Sequence, residues 1–150
     1  MTNTNTEPDT SQPPSDPDTL LTLFVLMAEK GLKRMGVTLL VNGLTVSGDI
    51  IPTWEFQARW NEIQKAAMKK ADVKDHLIGT VLGPFEELAE KMRGDAESST
   101  GDTDVRHFIC LENARVILAS DAQPMRAPIW RLRLSSVDGW TPGVADVSVR

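Results

Sequence analysis

The chain has 150 residues, 16 lysines and arginines against 21 aspartates and glutamates, two histidines, one cysteine and a net charge of −5. One cysteine excludes an internal disulfide and any cysteine-based zinc ribbon, and no stretch reaches the roughly 18 apolar residues of a membrane span. A pI near 5.0 argues against nucleic-acid binding by bulk electrostatics. The apolar content of 41% over this length suits one folded domain, which buries about 70% of its unfolded surface. The N-terminus has neither the basic nor the apolar region of a secretory signal, and the thiol content fits a reducing, cytoplasmic setting.

Residues 1–18 carry Glu7, Asp9, Asp16 and Asp18, no lysine or arginine, four prolines and no apolar side chain beyond Met1. Such a segment buries too little surface to offset its ordering entropy, so it reads as a disordered acidic tail, either solubilising or an interaction arm. A single domain is expected over 19–145. Asp18 or Thr19 caps a first helix with the stripe Leu20, Leu21, Phe24, Val25 and Ala28, and Gly31 is its natural stop. From Val37 the period becomes two. Asn42-Gly43 signals a two-residue hairpin, which sets Val41 opposite Leu44, Leu39 opposite Val46 and Val37 opposite Gly48, all on one face. Gly48 marks a bend or bulge.

Pro52 ends that strand and opens a helical insertion over 53–92. Its first half carries the stripe Phe56, Trp60, Ile63 and Ala67. The second half, from about Val73, carries Ile78, Val81, Leu82, Phe85, Leu88, Ala89 and Met92, with a break or kink expected at Gly83-Pro84. Residues 94–104 read as an acidic loop. Strands return at Phe108–Leu111, with turn chemistry at Glu112-Asn113, and continue at Val116–Leu118. After a loop at 121–128, Ile129–Leu134 alternates, with Trp130, Leu132 and Leu134 on one face and Arg131 and Arg133 on the other. Residues 137–143 are turn-rich, and 146–150 form a tail or a short edge strand. The fold class is α+β: an N-terminal helix, then an antiparallel sheet or small Sm-like barrel of about five strands, with the helices inserted between strands 2 and 3.

A search for chemistry finds no constellation. His107 and Cys110 lie three apart on a strand, which points them to opposite faces. Cys110 within an apolar run reads as a core residue. No histidine–cysteine spacing fits a metal, no glycine-rich loop fits a phosphate or cofactor, and no GxSxG is present. A small enzyme with an unrecognised site stays open as a reading, with no residue to carry it. Two features point to binding. Arg131 and Arg133, with Arg126 and Arg115 nearby, form either a solvated strand face or a site for an acidic partner, including the acidic tail of a neighbouring subunit. Trp54 and Trp140 lie off the core stripes, as interface anchors or as peripheral core.

The segments VTLLVNGLTVSGDIIPTWEF (37–56), HFICLENARVILAS (107–120) and IWRLRLSSVDGWTPG (129–143) resemble, in order and spacing, the gas vesicle accessory protein family called GvpU. The resemblance covers about two-thirds of the chain and fades in the tail and over 61–104. It implies a non-enzymatic, vesicle-associated protein of the cytoplasm. Its role would lie in assembly, stabilisation or clustering, by self-association and contact with the vesicle surface or other vesicle proteins. It carries no catalytic, metal or cofactor residues. An Sm-like nucleic-acid-binding or scaffold module is the competing reading.

Overall fold

The computed structural model describes residues 16–32, 34–98, 107–118 and 123–144. Most of the expected acidic tail, the later part of the 94–104 loop and the expected strand at 146–150 lie outside these residues. The elements run α1 (Thr19–Glu29), β1 (Met35–Val41), β2 (Leu44–Ile51), α2 (Thr53–Lys70), α3 (Asp75–Glu97), β3 (Phe108–Ile117), β4 (Met125–Arg133), a 3-10 turn (Leu134–Ser136) and β5 (Gly139–Pro142). The fold is α+β with α2 and α3 inserted between the second and third strands, as the sequence predicts.

All strand pairs are antiparallel, in the order β4-β3-β2-β1-β5. The sheet stays open, so of the two architectures expected the open sheet holds and the barrel does not. β5 is four residues long and ends at Pro142, and β4 carries Pro128. Proline cannot donate to a ladder, so these two edges are poorly built to pair with each other.

The hairpin has the expected register, Val41 opposite Leu44, Leu39 opposite Val46 and Val37 opposite Gly48. Its tip holds positive φ at both Asn42 (48°) and Gly43 (78°), which a tight two-residue turn requires. The Asp138 carboxylate accepts the Asn42 N–H at 2.9 Å, tying β5 to that tip.

One sheet face and α1 enclose the main core. Leu21, Val25 and Ala28 of α1 pack over Val37, Leu39, Val46, Ile50, Ile109, Leu111 and Val116. Asp18 caps α1, its Oδ1 accepting the Leu21 N–H at 2.9 Å. Phe24 meets Trp140 edge-on at 5.3 Å between centroids, closing the β5 side of this core.

β3 departs from the sequence reading. Glu112-Asn113 does not turn the chain; β3 runs through it as one strand of ten residues. Asn113 adopts φ 49°, and the pairing with β2 shifts register between Ser47 and Asp49. This is a bulge, and an asparagine tolerates the left-handed geometry it needs. Gly48 lies opposite. A Cβ there would sit 2.9 Å from the Glu112 carbonyl oxygen and 3.2 Å from Leu111 Cβ.

The helical insertion also differs. α2 contacts both the sheet and α3. Its buried residue is Asn61, while Ile63 and Ala67 of the expected apolar stripe are exposed. Gly83-Pro84 does not end α3, which is assigned as helix through Glu97 and so takes up the start of the expected acidic loop. Pro84 and Thr80 are both exposed, so the Thr80 carbonyl that Pro84 cannot bond faces water.

Gly48→Ala is expected to destabilise the protein by about 1–3 kcal/mol in denaturant melts, because backbone on the facing strand must give way. An unchanged midpoint would show that the bulge does not need the close approach.

Candidate interaction surfaces

The second sheet face is built differently from the first. Phe108, Cys110 and Glu112 alternate onto this side, and the bulge at Asn113 brings Arg115 to it as well. Glu112 is a charged residue with 1% of its surface exposed. Its Oε1 lies 2.6 Å from Arg34 Nη1 and its Oε2 lies 2.7 Å from Arg59 Nη1. Glu55 closes the group, its Oε1 accepting from Nη2 of both Arg34 and Arg59 at 3.0 Å. Two carboxylates and two guanidinium groups thus alternate around one point. The contact of Glu112 Oε1 with Arg34 is ionic, without an aligned hydrogen bond.

Those four residues come from the α1–β1 connection, α2 and β3; the sequence marks Glu112 only as turn chemistry and points to no site at the other three. The available signals were a glutamate two positions after Cys110 in an apolar strand and an i, i+4 pairing of Glu55 with Arg59. The exposures of Arg34 and Arg59, 58% and 35%, set the energetics. If Glu112 is neutralised, either arginine can return to water. If the arginines are removed, the carboxylate cannot.

Cys110 lies beneath the same layer. Burial pushes its thiol up to about 12, against the nearby charge of Arg131. Glu29, at the end of α1, accepts the Thr53 N–H at 2.6 Å and the Thr53 hydroxyl. Burial raises the Glu29 carboxyl above its ordinary value, and the Thr53 bonds oppose that shift. His107 is exposed at the start of β3 while Cys110 is buried.

The structure brings the four arginines singled out in the sequence onto this face. Arg115 stands directly opposite Arg126, Arg131 opposite Cys110, and Arg133 opposite Phe108. Arg126, Arg131 and Arg133 are exposed and Arg115 is half-buried. None of the four makes an ion pair among the described residues. Arg131 lies 3.9 Å above the Phe108 ring centroid, which holds its guanidinium by cation–π attraction. Arg133 lines a cleft of about 290 Å³ with His107, Phe108, Ser135 and Pro17, so the acidic N-terminal segment joins the domain beside an arginine. The tryptophans lie elsewhere. Trp54 is half-buried on α2 beneath Arg93, 5.4 Å from its ring, and Trp140 packs against the core through Phe24.

Among the described residues, no group of three or more histidine, cysteine, aspartate or glutamate side chains is placed to hold a metal ion. No described helix is long and apolar enough to cross a membrane.

Fold and surface together define an α+β domain with one charged strand face. The chain belongs to the family described as gas vesicle protein GvpU-like, which matches residues 18–145. It is therefore a gas vesicle protein. No curated protein and no solved structure matches it.

Two predictions concern the buried layer. Arg34→Ala with Arg59→Ala is expected to cost about 3 kcal/mol, and Glu112→Gln alone about 1 kcal/mol. Adding Glu112→Gln to the arginine pair should recover much of the loss, because no unpaired carboxylate is left buried. A triple variant less stable than the double would contradict the pairing.

The second prediction is a pH dependence. An unfolded cysteine loses its proton near 9.0, whereas folded Cys110 keeps it to about 12. The stability this group contributes is complete below 9 and is lost as pH rises toward 12. Between pH 8.5 and 10 the wild type should lose about 1 kcal/mol more than Cys110→Ala. Parallel curves for the two proteins would contradict it.

Proposed function

We propose that this protein acts in the cytoplasm, without catalysis, as an accessory factor in gas vesicle assembly, stabilisation or clustering. It works by self-association and by contact with the vesicle surface or other vesicle proteins. Family membership supports the vesicle setting. The observation that carries the mechanism is the set of four arginines on one face of β3 and β4, none ion-paired among the described residues.

An acidic partner satisfies those arginines. The candidate within the chain is the N-terminal segment of a neighbouring copy, since residues 1–18 carry four acids and no base. Each such contact is weak at the surface, about 0–1 kcal/mol. Linked through many subunits at high effective concentration, such contacts become a stable network. Because they are exposed, they are screened over a Debye length of about 8 Å at physiological ionic strength.

Co-flotation with purified gas vesicles tests this. The protein is expected to rise with vesicles at low salt and to fall away as salt increases. Arg131→Glu with Arg133→Glu should lower the floating fraction about tenfold, a change of about 1.4 kcal/mol. Deleting residues 1–18 should reduce vesicle clustering in the same assay. Flotation and clustering indifferent to salt, to the arginine reversals and to the deletion would remove this mechanism. Short single-stranded RNA at low salt serves as the comparison, and the reading predicts no retention on a filter.

A further inference from the structure

α1 is almost free of charge around its circumference, its polar residues besides Glu29 being Thr19 and Thr22. From Thr19 to Glu29 its only charged residue is Glu29, which turns away to Thr53. The inner positions Leu21, Val25 and Ala28 belong to the core. The outer positions Leu20, Leu23 and Met27 are 62%, 50% and 40% exposed, and their i, i+3, i+7 spacing puts them on one stripe. A surface helix ordinarily turns charged or polar residues to water, and on this stripe α1 turns none. α3 also carries an exposed apolar stripe, Leu77, Val81, Phe85 and Leu88, but it is amphipathic, with Glu86 and Glu90 exposed on its other side.

The rest of this chain is a poor cover for α1. The segments outside the described residues contain no leucine, isoleucine, phenylalanine or tryptophan. The charges at the two ends of α1 indicate a better occupant. Asp16 and Asp18 stand at its N-terminal end and Lys30 at its C-terminal end.

We propose that the outer face of α1 packs antiparallel against the same face of a second copy of this chain. A parallel pair would set acid against acid and base against base. The antiparallel pair sets Asp16 and Asp18 beside Lys30 of the second copy and opposes the two helix dipoles. The two-fold axis passes near Leu23, and Leu20 faces Met27 of the second copy. Eleven residues make a helix of about 16 Å, so the seam buries less than the roughly 1,600 Å² of a standard interface. The dimer is accordingly weak, with a dissociation constant on the order of micromolar. This deepens the self-association proposed above and rests on that reading for its role in the cell. The seam itself is apolar, so salt separates it from the arginine contacts.

The test is sedimentation velocity of the full chain from about 1 to 200 µM, at about 0.05 and 0.5 M salt. A concentration-dependent dimer is expected at both salts. Leu23→Glu should be monomeric with an unchanged far-UV circular dichroism spectrum. If that variant fails to fold, oxidative cross-linking decides. Leu23→Cys should form a disulfide-linked dimer and Leu20→Cys should not, while Leu20→Cys combined with Met27→Cys should. Buried Cys110 does not interfere. A wild type that is monomeric throughout, a folded Leu23→Glu protein that still dimerises, or Leu20→Cys cross-linking as well as Leu23→Cys would overturn the proposal. A salt-resistant dimer whose vesicle flotation ignores the arginine reversals would leave this seam standing and remove only the arginine mechanism.

Discussion

The structure turns on one buried carboxylate. Glu112 sits in the middle of a strand, on the sheet face away from the main core, where water does not reach it. A lone charge there is strongly unfavourable, and the fold answers by delivering Arg34 from the α1–β1 connection and Arg59 from α2. Glu55 then bridges the two arginines from its own helix. This one group ties α2, which adds no residue to the main apolar core, to β3 and to the α1–β1 connection. It also explains why α2 turns Glu55 and Arg59 toward the sheet, since the layer there is ionic.

That arrangement has a consequence for the surface. Glu112 and Glu55 are held by Arg34 and Arg59, and Glu29 is held by Thr53. Three carboxylates near this face are thereby engaged. Arg115, Arg126, Arg131 and Arg133 share the face without an ion pair among the described residues. A protein with net charge −5 therefore keeps a local positive strand face, beside the point where its acidic N-terminal segment joins the domain. Arginines and proline on an outer strand also discourage sheet-to-sheet aggregation, so the same residues limit one kind of association while offering another.

Much of the fold is legible in the sequence because its local signals agree. Asn42-Gly43, the alternation on each side of it and the resulting register all specify one hairpin, and a one-residue slip would turn its apolar face to water. The cap at Asp18 and the stripe of α1 are similarly local. The failures share a cause. Glu112-Asn113 has the composition of a turn, and only the neighbouring strands show that it is a bulge in a continuous strand. Pro84 has the composition of a helix break, yet its missing bond falls on the solvent side. The apolar stripe of α2 gave no hint that the helix would face an ionic layer. For the arginine face, alternation alone set Arg131 and Arg133 on one side. The cross-strand partnership of Arg115 with Arg126 needed the register of β3 and β4.

The central claim is that the face formed by β3 and β4 meets the partner. Hydrogen exchange on the protein free and bound to intact gas vesicles tests it most directly. The account predicts slowed exchange on binding across Arg126–Arg133 and the start of β3, with α3 unchanged. Slowed exchange confined to α2 and α3, with β4 exchanging as in the free protein, would contradict it.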